Sequence, residues 1–144
     1  MTAPARLSLV TLGVIDVARS TEFYERLGWP LSSASVPGEV SFLRTAGGIL
    51  ALWGAGDLAA DVGLTNATSP GFRGVSLAIN CDSREQVDDT LRTAEHAGAA
   101  VLKPAQVTEW GGYGGYFADP DGHLWEVAHN PAWPIGHDGR PVLP

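Results

Sequence analysis

Apolar residues along this chain fall into short runs broken by glycine and proline, and the runs recur in the same order twice. Residues 7–15 are rich in Leu and Val and read as a strand. Asp16 follows at a helix N-cap position. Residues 17–27 then read as a helix, with Phe23 and Leu27 four apart on one face and Val17 and Tyr24 beside them; Gly28 is the stop. Three strands are expected next, over 29–35, 39–45 and 49–53, punctuated by Pro37-Gly38 and Gly47-Gly48. Residues 54–73 are rich in Gly, Ala, Asn, Ser and Pro and read as a linker with one helical turn at 58–61.

The order then repeats. Residues 75–79 form a strand pattern, and Asp82 with Glu85 gives a reciprocal helix cap. Val87, Leu91 and Ala94 mark the apolar side of the second helix, and Gly98 ends it. Val101-Leu102 opens another strand. Strands over 114–118 and 124–129 follow, joined by the turn Asp119-Pro120-Asp121-Gly122. A repeated supersecondary unit is a strong statement about fold. Strands joined by tight turns must pair antiparallel, which argues against a parallel α/β sheet. Neither copy can bury its sheet alone. The expectation is an α+β fold: two βαβββ modules forming a cupped mixed sheet with helices on the convex face. It amounts to a single domain over 1–144, with module one at about 6–54, a linker at 55–73, module two at about 74–130 and a tail at 131–144.

Composition narrows the function classes. With 44% hydrophobic and 17% charged residues, the 144-residue chain suits a globular protein. A net charge of −7 and no basic run disfavour nucleic acid and anionic membrane surfaces. Cys81 is the single cysteine, so no internal disulfide can form, which fits a reducing cytoplasm. Its neighbours Asn80 and Asp82 do not provide the positive setting of a reactive thiol. No signal pattern or membrane-length apolar run is visible, so the sequon Asn66-Ala67-Thr68 carries little weight.

Two segments resemble a known family. Residues 12–24 with Leu27-Gly28-Trp29 resemble the opening of vicinal-oxygen-chelate proteins, the glyoxalase/bleomycin-resistance/extradiol-dioxygenase type. Tyr116-Phe117-Ala118-Asp119-Pro120-Asp121-Gly122-His123-Leu124-Trp125-Glu126 is similar to the end of their second module. The resemblance covers about residues 6 to 130. Most enzymes of that type hold one divalent metal, bound by His, Gln or Glu from the first and last strands of each module. Bleomycin-binding members sequester their ligand without one. Fold therefore leaves function open.

Carried over residue by residue, the metal ligands are mostly missing. The position seven before Asp16 is Leu9, and seven before Asp82 is Val75. Residues 46–53, where Ala51 takes the third position, hold no acid and no His. Glu126 alone remains. A catalytic site needs about three protein ligands. His96 ends the second helix, His129 faces away from Glu126, His137 lies in the tail, and His123 with Glu126 is the only improvised pair. The expectation is no metal and no cofactor.

Glu126 and Tyr116, ten residues earlier, are then the candidate catalytic pair. A carboxylate in an apolar cup has a raised pKa and suits a general base. Trp53, Trp110 and Tyr113 are candidate aromatic walls, and Leu9 and Val75 a greasy floor. Residues 109–115 hold four glycines with Trp110 and Tyr113, and read as a flexible aromatic loop without the spacing of a phosphate loop. Trp133 is expected to anchor the Pro-rich tail. The reading is a homodimeric, metal-independent protein that binds a small aromatic or heterocyclic molecule. The alternatives are a metal-independent lyase, isomerase or cyclase using Glu126 and Tyr116, and, behind it, a metal-dependent glyoxalase or dioxygenase.

Overall fold

The computed structural model describes residues 1–67 and 71–144. The sequon's Thr68 lies outside them. The chain runs β1 (Leu9–Val14), α1 (Val17–Arg26), β2 (Val40–Thr45), β3 (Gly48–Gly54), α2 (Ala55–Val62), β4 (Leu77–Asn80), α3 (Arg84–Ala97), β5 (Ala100–Val107), β6 (Tyr113–Ala118) and β7 (Leu124–His129). One sheet has the order β1-β3-β2 and the other β4-β7-β6-β5. In each, the first strand pairs parallel with the last, and the remaining pairs are antiparallel. The fold is α+β, and the repeat read from the sequence is a repeat of topology.

The first module is pared down. The strand expected over 29–35 survives as a single bridge, Leu31 with Leu43. Pro30 has no N–H to give the ladder, and the Ser35 hydroxyl, not a backbone carbonyl, takes the Phe42 N–H at 2.9 Å. The expected linker also changes character: an eight-residue helix, α2, fills its start and closes on Gly63.

The helix starts follow local chemistry. Asp16 caps α1 by accepting from the Arg19 N–H. The cap of α3 is Ser83, not Asp82. Ser83 accepts from the Gln86 N–H at 3.1 Å, and the Gln86 side chain accepts from the Asp82 N–H at 2.6 Å. The cap is reciprocal and lies one residue later than expected, with the Gln86 side chain reaching the N–H of the residue before the cap.

Strand alternation sorts the side chains into two faces. Val10, Leu12 and Val14 of β1, Leu50 and Leu52 of β3, and Trp125 and Val127 of β7 face α1 and α3. They join Phe23, Tyr24, Val87, Leu91 and Phe117 in one apolar cluster that spans both modules. The opposite, open face carries Leu9, Ile49 and Arg44 in one row of the first sheet. On the second sheet it carries the row Ala78, Glu126, Tyr116, Lys103. Helix α2 covers one end of the first sheet's open face, where a Cβ on Gly13 would lie 3.2 Å from Ala55 and 3.4 Å from Leu58.

The Asp119-Pro120-Asp121-Gly122 turn holds the modules together. Asp119 is buried and accepts from the Tyr24 hydroxyl at 2.7 Å. That hydroxyl in turn accepts from the Trp125 indole N–H at 3.0 Å. The other Asp119 oxygen takes the Asp121 and His123 N–H groups. Asp121 accepts from the Ile15 N–H at 2.8 Å, and the His123 ring lies 2.8 Å from the Gly13 carbonyl through Nε2.

The tail doubles back as a hairpin bridged between Ile135 and Pro141. Trp133 within it is 38% exposed. The Arg140 Nε–H donates to the Ala46 carbonyl at 2.9 Å, in the β2–β3 turn.

Candidate functional site

Glu126 sits mid-strand on β7, and its register partners are Ala78 on β4 and Tyr116 on β6. The Tyr116 hydroxyl lies 3.3 Å from the Glu126 Oε2 and donates to it. Both side chains are half-buried. Partial burial, then the neighbouring Glu126 charge and hydrogen bond, push the Tyr116 phenol above its ordinary pKa. The two candidate catalytic residues are therefore together, and the tyrosine is held as a neutral donor to a carboxylate.

A cavity of about 650 Å³ opens at the seam between β1 and β4. Its walls include Leu9, Ile49, Leu77 and Ile79, and Trp29 and Trp125 lie on its inner side. The two indoles meet edge to face, 5.3 Å between ring centres. Neither Glu126 nor Tyr116 lines the cavity: Ala78 does, and Glu126 is the register partner of Ala78 on the next strand. A second, smaller cavity of about 350 Å³ lies between Val75, Phe72 and His123.

The remaining sequence candidates divide. Leu9 lines the larger cavity and Val75 the smaller one. Trp53 is on the open face of β3, paired with Gly13 and Val40, and lines neither. Trp110 is half-exposed and lies over Gly112, where a Cβ would overlap its ring. Tyr113 faces the helices: its hydroxyl donates to Asp88 at 2.8 Å and its ring stacks under Arg84. The Asp88 hydrogen bond, above all, raises its pKa. The glycine-rich stretch is half strand, with Gly115 buried so tightly that a Cβ would come within 2.5 Å of the Lys103 carbonyl. Trp29, Arg44 and Arg140, which line the larger cavity, were not among the candidates. Trp29 reads as the start of a strand, and nothing local signals that the tail folds back.

The description "Glyoxalase/Bleomycin resistance protein/Dioxygenase superfamily" fits residues 6–127 of the chain. The chain belongs to that superfamily. A glyoxalase-related enzyme from Fulvimarina pelagi is 37% identical, with 96% of this chain and 98% of that one superposed at a TM-score of 0.86. A glyoxalase/bleomycin resistance protein/dioxygenase from Nocardioides is 28% identical over 90% of this chain and 85% of that one, at a TM-score of 0.73. A lactoylglutathione lyase from Agrobacterium tumefaciens, 20% identical over 91% of this chain and 98% of that one, shares the fold at a TM-score of 0.67. No curated protein matches the chain.

The glyoxalase superfamily's metal does not fit the residues present. The register neighbours of Glu126 are an alanine and a tyrosine. Leu9, Ala51 and Val75 have no donor atoms in their side chains. His123 is engaged on both ring nitrogens, by Arg73 and by the Gly13 carbonyl, and His129 bonds the Cys81 carbonyl on the other face. Among the described residues no three His, Cys, Asp or Glu side chains cluster as a metal would require. Cys81 is buried, and burial pushes its thiol up, which keeps it protonated and inert. No helix is long and apolar enough to cross a membrane among the described residues.

Proposed function

We propose that this protein binds a small, flat, mostly apolar molecule in the seam cavity without a metal, with Glu126 and Tyr116 on the neighbouring strands β7 and β6. The observation that carries the reading is the cavity itself. Its size lies within the usual range for ligand sites, and its walls are apolar with aromatic rings on the inner side. Indole faces favour stacked flat ligands, and a nearby carboxylate fixes their orientation by accepting a hydrogen bond. A proton-transfer enzyme of the lyase, isomerase or cyclase type is the second reading, favoured by the direct Tyr116–Glu126 contact. Binding ranks first because that one tyrosine is the only hydrogen-bond partner of the Glu126 side chain among the described residues.

The test is a compound screen read by quenching of tryptophan fluorescence. A hit is expected to lose its affinity in Trp29→Leu. It should bind roughly tenfold more weakly to Glu126→Gln, the cost of one hydrogen bond to a charged group, with thermal stability unchanged. Chelators should alter neither affinity nor melting temperature, because removing a ligand of the native state would lower stability. One tightly held zinc, nickel or iron per chain on Glu126 would overturn the reading, as would hits indifferent to Trp29.

The same reading makes the protein a homodimer. β5 is an edge strand of its sheet, and Leu102 and Val107 on it are more than half exposed. Such apolar edges need cover. Sedimentation at micromolar concentration is expected to give twice the chain mass; a lone monomer there rules pairing out.

A further inference from the structure

The sequence carries 16 acidic residues against nine basic ones. The lining of the larger cavity inverts that balance. Among the described residues, its charged lining side chains are Arg44 and Arg140, with no Asp or Glu. The two arginines come from opposite ends of the chain. Arg44 ends the open-face row Leu9–Ile49–Arg44, so its side chain leaves the sheet from the same row as two apolar wall residues. Arg140 is brought in by the tail.

The hairpin that carries Arg140 is built for its position. The Gly136 N–H donates to the Arg140 carbonyl at 2.8 Å, and the Val142 N–H donates to the Pro134 carbonyl at 2.8 Å. Gly139 has a φ of 78°, and a Cβ there would lie 2.8 Å from the Ala46 Cβ. Only glycine takes that backbone and that approach together. The Arg140 Nε–H is spent on Ala46, which fixes the plane of the guanidinium. Neither arginine joins an ion pair among the described residues, where the pairs are Arg26–Glu22 and Arg92–Asp89. The nearest acid in sequence, Asp138, instead accepts from the Arg140 backbone N–H within the turn.

We propose that the cavity's ligand is an organic acid: a flat apolar body between the indoles and the aliphatic walls, and a carboxylate at the rim held by Arg44 and Arg140. This rests on the seam cavity being the binding site, and adds the ligand's charge. A guanidinium fork matches a carboxylate geometrically, and such charge-assisted bonds are stronger than neutral ones. The tail is then part of the site, because it supplies one of the two cations.

The experiment compares pyrenebutyrate with the neutral pyrenebutyramide by fluorescence anisotropy at low salt. The acid is expected to bind about tenfold more tightly, the effect of one charge-assisted hydrogen bond, and the preference should shrink as salt is added. Arg44→Met with Arg140→Met should abolish the preference, so that acid and amide bind alike. Gly139→Val, which unseats the hairpin without touching either arginine, should reduce the preference as Arg140→Met alone does. Equal binding of acid and amide, both lost in Trp29→Leu, overturns this proposal while the cavity reading stands. A preference that survives the double arginine variant also overturns it. If neither compound binds, both readings fall.

Discussion

Replacing Trp125 by alanine is expected to destabilise the protein by about 3–5 kcal/mol, the usual cost of deleting a buried aromatic side chain. Trp125 is 5% exposed. Its ring stacks on Phe117 with centres 6.2 Å apart, and it meets Tyr24 and Trp29 at 6.0 and 5.3 Å. Its indole N–H also donates to the Tyr24 hydroxyl, so the substitution removes a buried hydrogen bond together with the packing. The neighbouring Glu126 points to the open face, and Glu126→Gln should stay within about 0.5 kcal/mol of the parent, as surface changes commonly do. For a chain of this size the Trp125 loss corresponds to a fall of roughly 10 °C in melting temperature. Adjacent residues should thus differ sharply, because alternation puts one in the core and the other outside. Equal melting shifts for the two variants would contradict the assignment of faces.

That alternation is also why much of the fold was legible. Period-two strands and a capped, glycine-stopped helix repeat in order, and they put Trp125 and Val127 inward and Glu126 outward from the sequence alone. The same rule separates Tyr113 from Tyr116: three apart on one strand, they must face opposite ways, so only one can share a face with Glu126. The four glycines of residues 109–115 mask this, because they read as a loop. The second strand expected in module one, over 29–35, is lost to the chemistry of Pro30 and Ser35. The cap of α3 was ambiguous because Asp82 with Glu85 and Ser83 with Gln86 both fit the pattern, one residue apart.

The candidate site was legible only in part. Glu126 with Tyr116 follows from register, and Leu9 does reach the larger cavity. The cavity's other polar wall depends on contacts between distant segments. Arg140 bonds a carbonyl 94 residues away, and no local pattern encodes that. Trp29 similarly becomes a cavity residue only when β7 brings Trp125 against it. The turn at Asp119 is the reverse case. The motif is plain in the sequence and was read as a family signature, yet its physical role is to tie the start of α1 to the second sheet.

Asp119→Ala should therefore be among the most damaging single changes, at about 3–5 kcal/mol. It removes the acceptor of three hydrogen bonds, from the Tyr24 hydroxyl and the Asp121 and His123 N–H groups, and bonds to a charged group are worth about 1.5–3 kcal/mol each before the relief of desolvation is subtracted. Tyr24→Phe tests the same network through pH. Burial, then the Asp119 charge, push the Tyr24 phenol far above its ordinary value. An unfolded tyrosine ionises near pH 10. Below that pH both states keep the proton and stability is independent of this group. Above it the unfolded chain releases a proton that the folded one retains, so stability falls as pH rises, by about 1.4 kcal/mol per pH unit for one such group. Cys81, Tyr113 and Tyr116 are raised as well and add to the alkaline loss. Tyr24→Phe should be less stable at neutral pH, because it leaves the Trp125 N–H and an Asp119 oxygen without a partner. Its stability above pH 10 should decline less steeply than the parent's, by about one proton. Chemical denaturation at a series of alkaline pH values measures both quantities, and an unchanged slope in the variant would mean that Tyr24 does not hold its proton in the folded state.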